Sequence, residues 1–313
     1  MFRFLLLTIG WFCVGDTNAG DPRDSAVRQG VIRFNKWMRM HASPVNAWCR
    51  INMASMRIIT PGKLRKGKNL LFADSSRLLF ADDFQRLDRS RWQIGMPWGR
   101  IHPGNPHQWY GDSAVRVEGG ILHLDGIRAP LKMQVNGADT VVPYQVGLIT
   151  SYPGFTCRFG YFEISARIPE APALWPAFWL TPVNGWPPEI DIFEMYGKRK
   201  GKSINRTSMS LHYGTIEGGT KSQQIRFLKL PNDIHNQYYR YACLWEPNRI
   251  QFYFNGYLIG QIRLNHYLAS YLNADMYVVL NQSFHNEFLQ YLPANMPVYS
   301  MEVDYIRVYA LKP

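Results

Sequence analysis

Residues 250–259 have the sequence Ile-Gln-Phe-Tyr-Phe-Asn-Gly-Tyr-Leu-Ile, in which two apolar, aromatic-rich runs flank Asn255-Gly256. Asn-Gly favours the two-residue turn of a β-hairpin, because both turn positions need positive φ and these two residues tolerate it. Gly119-Gly120 separates Val115–Val117 from Ile121–Asp125 in the same manner. The two stretches therefore predict two hairpins of antiparallel strands.

The same strand pattern recurs on both sides of these hairpins. Residues 159–168 and 303–309 alternate between apolar and polar side chains, which is the period of a half-buried strand. From residue 78 onward few segments show sustained helical periodicity. Many short strands over about 235 residues predict an all-β sandwich or barrel, and they disfavour a doubly wound fold, which needs alternating helices.

The first residues resemble an export signal. Arg3 precedes the apolar run Phe4–Val14, and Thr17-Asn18-Ala19 offers a small-residue cleavage site. The apolar run is shorter than the about 20 residues that span a bilayer, so we expect no transmembrane segment. The chain divides into a signal peptide (1–19), a basic extension and linker (20–77) and a main domain (78–313), and we expect a secreted or periplasmic monomer.

The basic extension carries most of the net charge of +12. Twelve basic and three acidic residues fall within 20–77, a balance of +9. Helical spacing of apolar residues predicts a short amphipathic helix through Val27, Val31, Phe34 and Met38. Such a segment suits an anionic polymer or a membrane surface, or it is a solvated tether. Residues 63–68 predict a linker, and no nucleic-acid-binding motif occurs, so we expect no nucleic-acid partner.

The cysteines leave two alternatives open. Cys13 belongs to the predicted signal, which leaves Cys49, Cys157 and Cys243 in the mature chain. Three cysteines allow at most one disulfide, and three buried thiols fit equally well.

Three acids lie within six residues of one apolar stretch: Glu189, Asp191 and Glu194 in Trp-Pro-Pro-Glu-Ile-Asp-Ile-Phe-Glu, residues 186–194. Charged strand residues usually face solvent, but the large apolar neighbours argue against that interpretation here. A calcium site would need more oxygen ligands on a flexible loop, whereas this pattern is that of a strand. The alternative is a catalytic group of carboxyls.

The alternation of side chains along a strand makes this hypothesis specific. In a regular strand Glu189 and Asp191 share one face, and Glu194 takes the other. One extra residue, a β-bulge around Ile192 and Phe193, places all three acids together, and bulges are enriched beside active sites. The two glutamate carboxyls would then converge to about 5–6 Å, near the separation of about 5–5.5 Å in retaining glycosidases.

Glu-Ile-Asp-Ile-Phe-Glu resembles the bulged signature of glycoside hydrolase family 16. The similarity extends over residues 78–311 and is closest to bacterial laminarinases, endo-β-1,3(4)-glucanases and exopolysaccharide glycanases. It is carried by segments in family order, namely 80–84, 159–169, 174–180, 211–214, 241–247, 252–256 and 303–309.

The resemblance implies a fold and a role for each candidate residue. It implies a jelly roll of two curved antiparallel sheets, similar to concanavalin A, with a sugar cleft on the concave face. Glu189 would be the nucleophile, Glu194 the general acid/base, and Asp191 the residue that orients and tunes them. It also implies substrate-binding positions at Trp175, Trp179, His212 and Asn105, although isolated Trp and His on strands are more often structural.

The function that follows is retaining endo-hydrolysis of β-1,3 or mixed β-1,3/1,4 glucans. Two loops depart from the family, residues 280–286 and 105–108, and both define substrate fit. A galactan or an acidic exopolysaccharide is therefore the alternative substrate, and a non-catalytic sugar-binding module is the third interpretation. The mechanism requires no cofactor or metal, and the family allows a structural calcium ion for which the sequence assigns no ligands.

Overall fold

The computed structural model describes residues 61–68, 77–102, 104–135, 138–197, 206–215 and 219–311. The predicted signal peptide and basic helix lie outside these residues and stay predictions. The strands in this part of the chain are β1 (Leu78–Asp82), β2 (Gln93–Ile94), β3 (Gln108–Tyr110), β4 (Val115–Glu118), β5 (Ile121–Val135), β6 (Ala138–Val146), β7 (Leu148–Thr150), β8 (Gly160–Arg167), β9 (Leu174–Pro182), β10 (Glu189–Met195), β11 (Arg206–Thr215), β12 (Gly219–Lys229), β13 (Tyr239–Glu246), β14 (Arg249–Phe254), β15 (Tyr257–Arg263), β16 (Met276–Phe284) and β17 (Tyr299–Tyr309). The α-helices are α1 (Pro61–Arg65) and α2 (His266–Tyr271), and Asp112–Ala114 and Asn286–Tyr291 form 3₁₀ turns.

These strands form two sheets. The larger has the order β15-β14-β13-β8-β17-β5-β6-β3, with β1 on β17 and β4 on β5. The smaller has the order β12-β11-β10-β9-β16-β7-β2. All pairs are antiparallel except β3 with β6. Both predicted hairpins form, and their turn residues Gly119, Gly120, Asn255 and Gly256 all have positive φ. The prediction of an all-β jelly-roll sandwich is confirmed.

The hydrophobic core lies between the two sheets. On β10 the inward residue Ile190 is fully buried, and the Phe193 ring lies 4.4 Å, centroid to centroid, from Tyr241 on β13 of the other sheet. Each such side chain contributes about 1.5–3 kcal/mol through burial. Because the inward side of β10 joins the sheets, its outward side is available for polar groups.

The segment 61–68 differs from the predicted linker. Leu64 of α1 is fully buried, and the Asn255 side-chain amide donates to its carbonyl oxygen at 2.8 Å. The backbone N–H of Lys68 donates to the Asn255 carbonyl oxygen, also at 2.8 Å. The segment therefore packs on the turn between β14 and β15. The prediction of a linker followed from the many charged residues of this segment and overlooked its buried apolar residue, Leu64.

The described cysteines are thiols. Cys157 is half-buried and Cys243 is buried, and neither forms a disulfide. Burial raises the pKa of Cys157 to about 12, so this thiol is a poor nucleophile near neutral pH. Cys49 lies outside the described residues. In the described part of the chain no helix is both long and apolar enough to cross a membrane.

Candidate active site

The three predicted acids lie on β10, at the centre of the smaller sheet. Glu189, Asp191 and Glu194 pair across to alternate residues of β11, namely His212, Ser210 and Ser208. Between Asp191 and Glu194 the chain advances three residues while β11 advances two, so the register shifts. The predicted bulge is confirmed, and it places the three acids on one face of the sheet.

The pairing with β9 identifies the extra residue. Asp191 lies opposite Trp179, and Phe193 lies opposite Phe178. Ile192 therefore has no counterpart on β9, and its side chain is buried. An apolar residue at the bulge keeps the strand attached to the core while the acids are turned outward.

The outward face forms one wall of a cleft between β9, β10, β16 and the loop before β3. The residues that line it are His102, Asn105, Gln108, Tyr110, Leu148, Trp175, Ala177, Trp179, Glu189, Asp191, Glu194, Asn281 and Ser283. His212 flanks the acids from β11. The structure thus brings all seven predicted site residues together, although they span positions 105 to 212.

Each acid has its own hydrogen-bond partner. The indole Nε1–H of Trp186 donates to Glu189 Oε2 at 2.9 Å, and that of Trp175 donates to Glu194 Oε1 at 2.9 Å. His212 Nε2 lies 3.1 Å from Asp191 Oδ2. On the far side of this ring, Nδ1 lies 2.6 Å from the Ser222 hydroxyl. The tautomer with its proton on Nε2 satisfies both contacts.

Burial dominates the electrostatics of this group. It raises the pKa values of Glu189 and Asp191 well above their ordinary range, and it raises the pKa of Glu194. The charge of Asp191 further raises the pKa of Glu189, and donors from Tyr196 and Trp175 oppose the rise at Glu194. Asp191 interacts electrostatically with both glutamates. Three close, desolvated carboxyls favour retention of a proton within the group near neutral pH.

The two loops that depart from the family meet in one wall. The Asn105 amide donates to the Phe284 carbonyl oxygen at 2.8 Å, and the Gln108 side chain accepts from the Phe284 N–H at 2.8 Å. Asn105 therefore lies in the cleft as predicted, but its amide group holds the chain of β16. Both departures therefore belong to one structural unit.

Sequence reasoning missed several cleft residues. Asn281 on β16 accepts a hydrogen bond from Trp179 Nε1 at 2.8 Å, and Gln108 anchors the wall. Trp186 contacts Glu189 from the loop before β10. Its position three residues before Glu189 was the available signal, but an indole in a Pro-rich loop does not by itself indicate a contact.

One group of potential metal ligands occurs among the described residues. Glu189, Asp191 and His212 offer ligand atoms within 4.8 Å of one another. These groups already hydrogen-bond to each other or to Trp186 and Ser222. Two neighbouring carboxyls are the arrangement that glycoside hydrolysis uses for proton transfer and nucleophilic attack.

A sandwich with these carboxyls on a bulged central strand, facing an indole-lined cleft, defines a glycoside hydrolase of the two-carboxylate class. The family model described as Beta-porphyranase A-D, GH16 domain, matches residues 78–311. The chain therefore belongs to glycoside hydrolase family 16, as its sequence motifs predicted.

Relatives of established activity share this domain. The endo-1,3-1,4-beta-glycanase ExsH of Rhizobium meliloti (strain 1021) is 26% identical over 254 residues, which cover 74% of this chain and 51% of the relative. The keratan-sulfate endo-1,4-beta-galactosidase of Sphingobacterium multivorum is 28% identical over 207 residues, 60% of this chain and 45% of the relative. The chain thus spans about half the length of these relatives.

A solved structure supports the fold. SCLam, described as a non-specific endo-beta-1,3(4)-glucanase of family GH16, superposes with a TM-score of 0.65 at 23% identity. The superposition covers 79% of this chain and 95% of SCLam.

Proposed function

We propose that the protein is a retaining endo-glycosidase that hydrolyses β-1,3 or mixed β-1,3/1,4 glucans by double displacement. The observation that carries this proposal is the bulged register of β10, which places Glu189, Asp191 and Glu194 on one outward face. On that face Asp191 lies between the two glutamates, so the two catalytic carboxyls flank a third acid.

The chemistry assigns one role to each acid. In the first step a carboxylate oxygen of Glu189 bonds to the anomeric carbon, and the glycosidic C–O bond breaks. Its electron pair stays on the leaving oxygen, which takes the proton of Glu194. In the second step Glu194 accepts a proton from water, and the resulting hydroxide oxygen displaces Glu189. Both carboxyls return to their initial protonation states, with the anomeric configuration retained.

The β9 indoles provide the sugar-binding surface. Trp175 and Trp179 are both half-buried and lie on the same side of β9, separated by the small residue Ala177. Half-buried indole faces suit stacking against the apolar faces of pyranose rings. Trp175 also donates to Glu194, so sugar contact and acid/base positioning share one side chain.

The charge of the cleft favours a neutral polymer. Its described lining contains three carboxyls and no Lys or Arg. His212 beside the acids is engaged by Asp191, and the basic group of the lining is His102, whose pKa is lowered by burial, which favours its uncharged form. A sulfate or carboxylate on the central sugars would meet three acids without a Lys or Arg in the lining, which disfavours an acidic exopolysaccharide at this point.

A neutral stretch of a galactan is the second candidate substrate. The matching family model is described by β-porphyranases, and one relative is named for a galactosidase activity on keratan sulfate. The hydrolytic chemistry is the same for both polymers. A galactan differs from a glucan in the configuration of a sugar hydroxyl, which the cleft walls would contact. The signal-like residues 1–19 lead us to propose that the enzyme acts outside the cytoplasm.

The test is a polysaccharide panel of laminarin, lichenan, curdlan, agarose, porphyran, carrageenan and succinoglycan, with Glu189→Ala as control. We expect reducing ends from laminarin or lichenan, with products that first appear in the β configuration by NMR. Cleavage of agarose or porphyran alone would replace the glucan by a galactan. Retained pull-down without cleavage of any polymer would support a non-catalytic binding module instead.

A further inference from the structure

Trp186 is a residue to which the two-carboxylate mechanism gives no role. Its indole is 38% exposed, which is unusual for so large an apolar group. Its Nε1–H lies 2.9 Å from Glu189 Oε2, and its ring lies 6.0 Å from that of His212. The side chain thus contacts the acid while part of its surface stays exposed.

Both glutamates accept a hydrogen bond from a tryptophan side chain. Each accepts one indole N–H at 2.9 Å, Glu194 from Trp175 on β9 and Glu189 from Trp186 in the loop before β10. A donor on one carboxylate oxygen fixes the plane of the carboxyl and leaves the other oxygen free. The other oxygen of this carboxyl, Glu189 Oε1, lies 3.5 Å from His212 Nε2.

The loop is built to hold this indole in place. Pro187 and Pro188 separate Trp186 from Glu189, and each proline ring fixes its own φ. Pro188 is buried, and its carbonyl oxygen lies 3.4 Å from the Thr181 hydroxyl of β9. The backbone that carries the indole therefore has few alternative paths relative to the strand that carries the nucleophile.

We propose that Trp186 is a positioning residue for the nucleophile: its N–H orients the Glu189 carboxyl so that Oε1 faces the anomeric carbon, and it favours the ionised form of that carboxyl. This inference rests on the proposed function. A hydrogen bond to an ionised carboxyl stabilises the charged form, and it opposes the effects of burial and of the neighbouring acids. The other titratable groups that act on Glu189 are Asp191 and Glu194 on β10, His212 on β11 and Tyr277 on β16.

The kinetic test is Trp186→Phe, which keeps an aromatic ring and removes the N–H. With laminarin we expect kcat to fall about 10- to 100-fold while KM changes little, as for the loss of a hydrogen bond to a charged group. The acidic limb of the kcat/KM profile should move to higher pH. Trp98→Phe is the matched control, because Trp98 is 51% exposed and hydrogen-bonds to none of the three acids. A rise in KM with unchanged kcat would overturn the proposal.

A second readout needs no substrate. In a ¹⁵N–¹H spectrum the Trp186 indole signal, assigned by its loss in Trp186→Phe, should shift with pH as Glu189 titrates. That shift should disappear in Glu189→Gln. An indole signal that does not change with the protonation state of Glu189 overturns the proposal, whichever polysaccharide the enzyme cleaves. If the indole signal titrates but no glucan is cleaved, the proposed substrate is wrong, and the proposed contact between Trp186 and Glu189 is still supported.

Discussion

Deletion of Ile192 is the sharpest perturbation of the bulged strand. Without Ile192 the sequence of β10 becomes Glu-Ile-Asp-Phe-Glu-Met, which alternates regularly and keeps the three acids on one face. Asp191 and Glu194 already pair with Ser210 and Ser208, which are two residues apart on β11. A regular strand would therefore keep the same cross-strand partners. We expect a folded enzyme in which the catalytic face survives.

The magnitude follows from what the deletion removes. The buried Ile192 side chain is lost, which costs about 2–5 kcal/mol as in other truncations of buried aliphatic residues. For a domain of this size that corresponds to a fall in Tm of roughly 4–20 °C. A shift of the Glu194 carboxyl by about 1 Å would lower kcat by about 100-fold.

Deletion of Ile190 is the matched control. It removes the same residue type, equally buried, two positions earlier. Here the alternation of inward and outward side chains shifts by one residue, so Glu189 moves to the inward position that Ile190 occupied. An unpaired carboxylate in the core costs several kcal/mol in addition to the lost side chain, a large part of a net stability of about 5–15 kcal/mol.

The assay combines thermal unfolding followed by circular dichroism with release of reducing ends from the substrate found in the panel. We expect measurable turnover only from the Ile192 deletion, and a lower Tm or no soluble protein for the Ile190 deletion. Equal behaviour of the two deletions would show that the bulge does not set the orientation of the acids.

Four further outcomes follow from the same site. Glu189→Ala should abolish hydrolysis with the fold retained, and Glu194→Gln should nearly do so; near-parent turnover from Glu189→Ala would refute its assignment. Asp191→Asn removes a negative charge that raises the pKa of Glu189, so the acidic limb of kcat/KM should move to lower pH, and an upward shift would contradict this. Because burial raises the folded-state pKa of Glu189, the native protein binds more protons than the unfolded chain, and this stabilising contribution is lost as pH rises through the folded pKa. Glu189→Gln should therefore raise Tm by a few °C at pH 7. The difference in Tm between the variant and the wild type should disappear below about pH 4. Leu64→Ala should cost about 2–5 kcal/mol if α1 is part of the domain, whereas the exposed Lys63→Ala should leave Tm unchanged.

The sequence by itself determined the local features of this protein. Asn255-Gly256 and Gly119-Gly120 determined two hairpins, because their turns need only the backbone freedom of the turn residues. The spacing of Glu189, Asp191 and Glu194 required a bulge, because side chains on a strand alternate with a period of two. Both features depend on neighbours in the chain, so they could be predicted from pattern alone.

Only the tertiary structure decided which partners these residues acquire. The cleft wall joins Asn105 and Gln108 to Phe284, more than 170 residues away, through the pairing order of the sheets. The raised pKa values of the acids arise from burial under neighbouring strands, and the contact of Trp186 with Glu189 arises from the path of one loop. Such contacts depend on strand register and packing between distant segments, which no local pattern encodes.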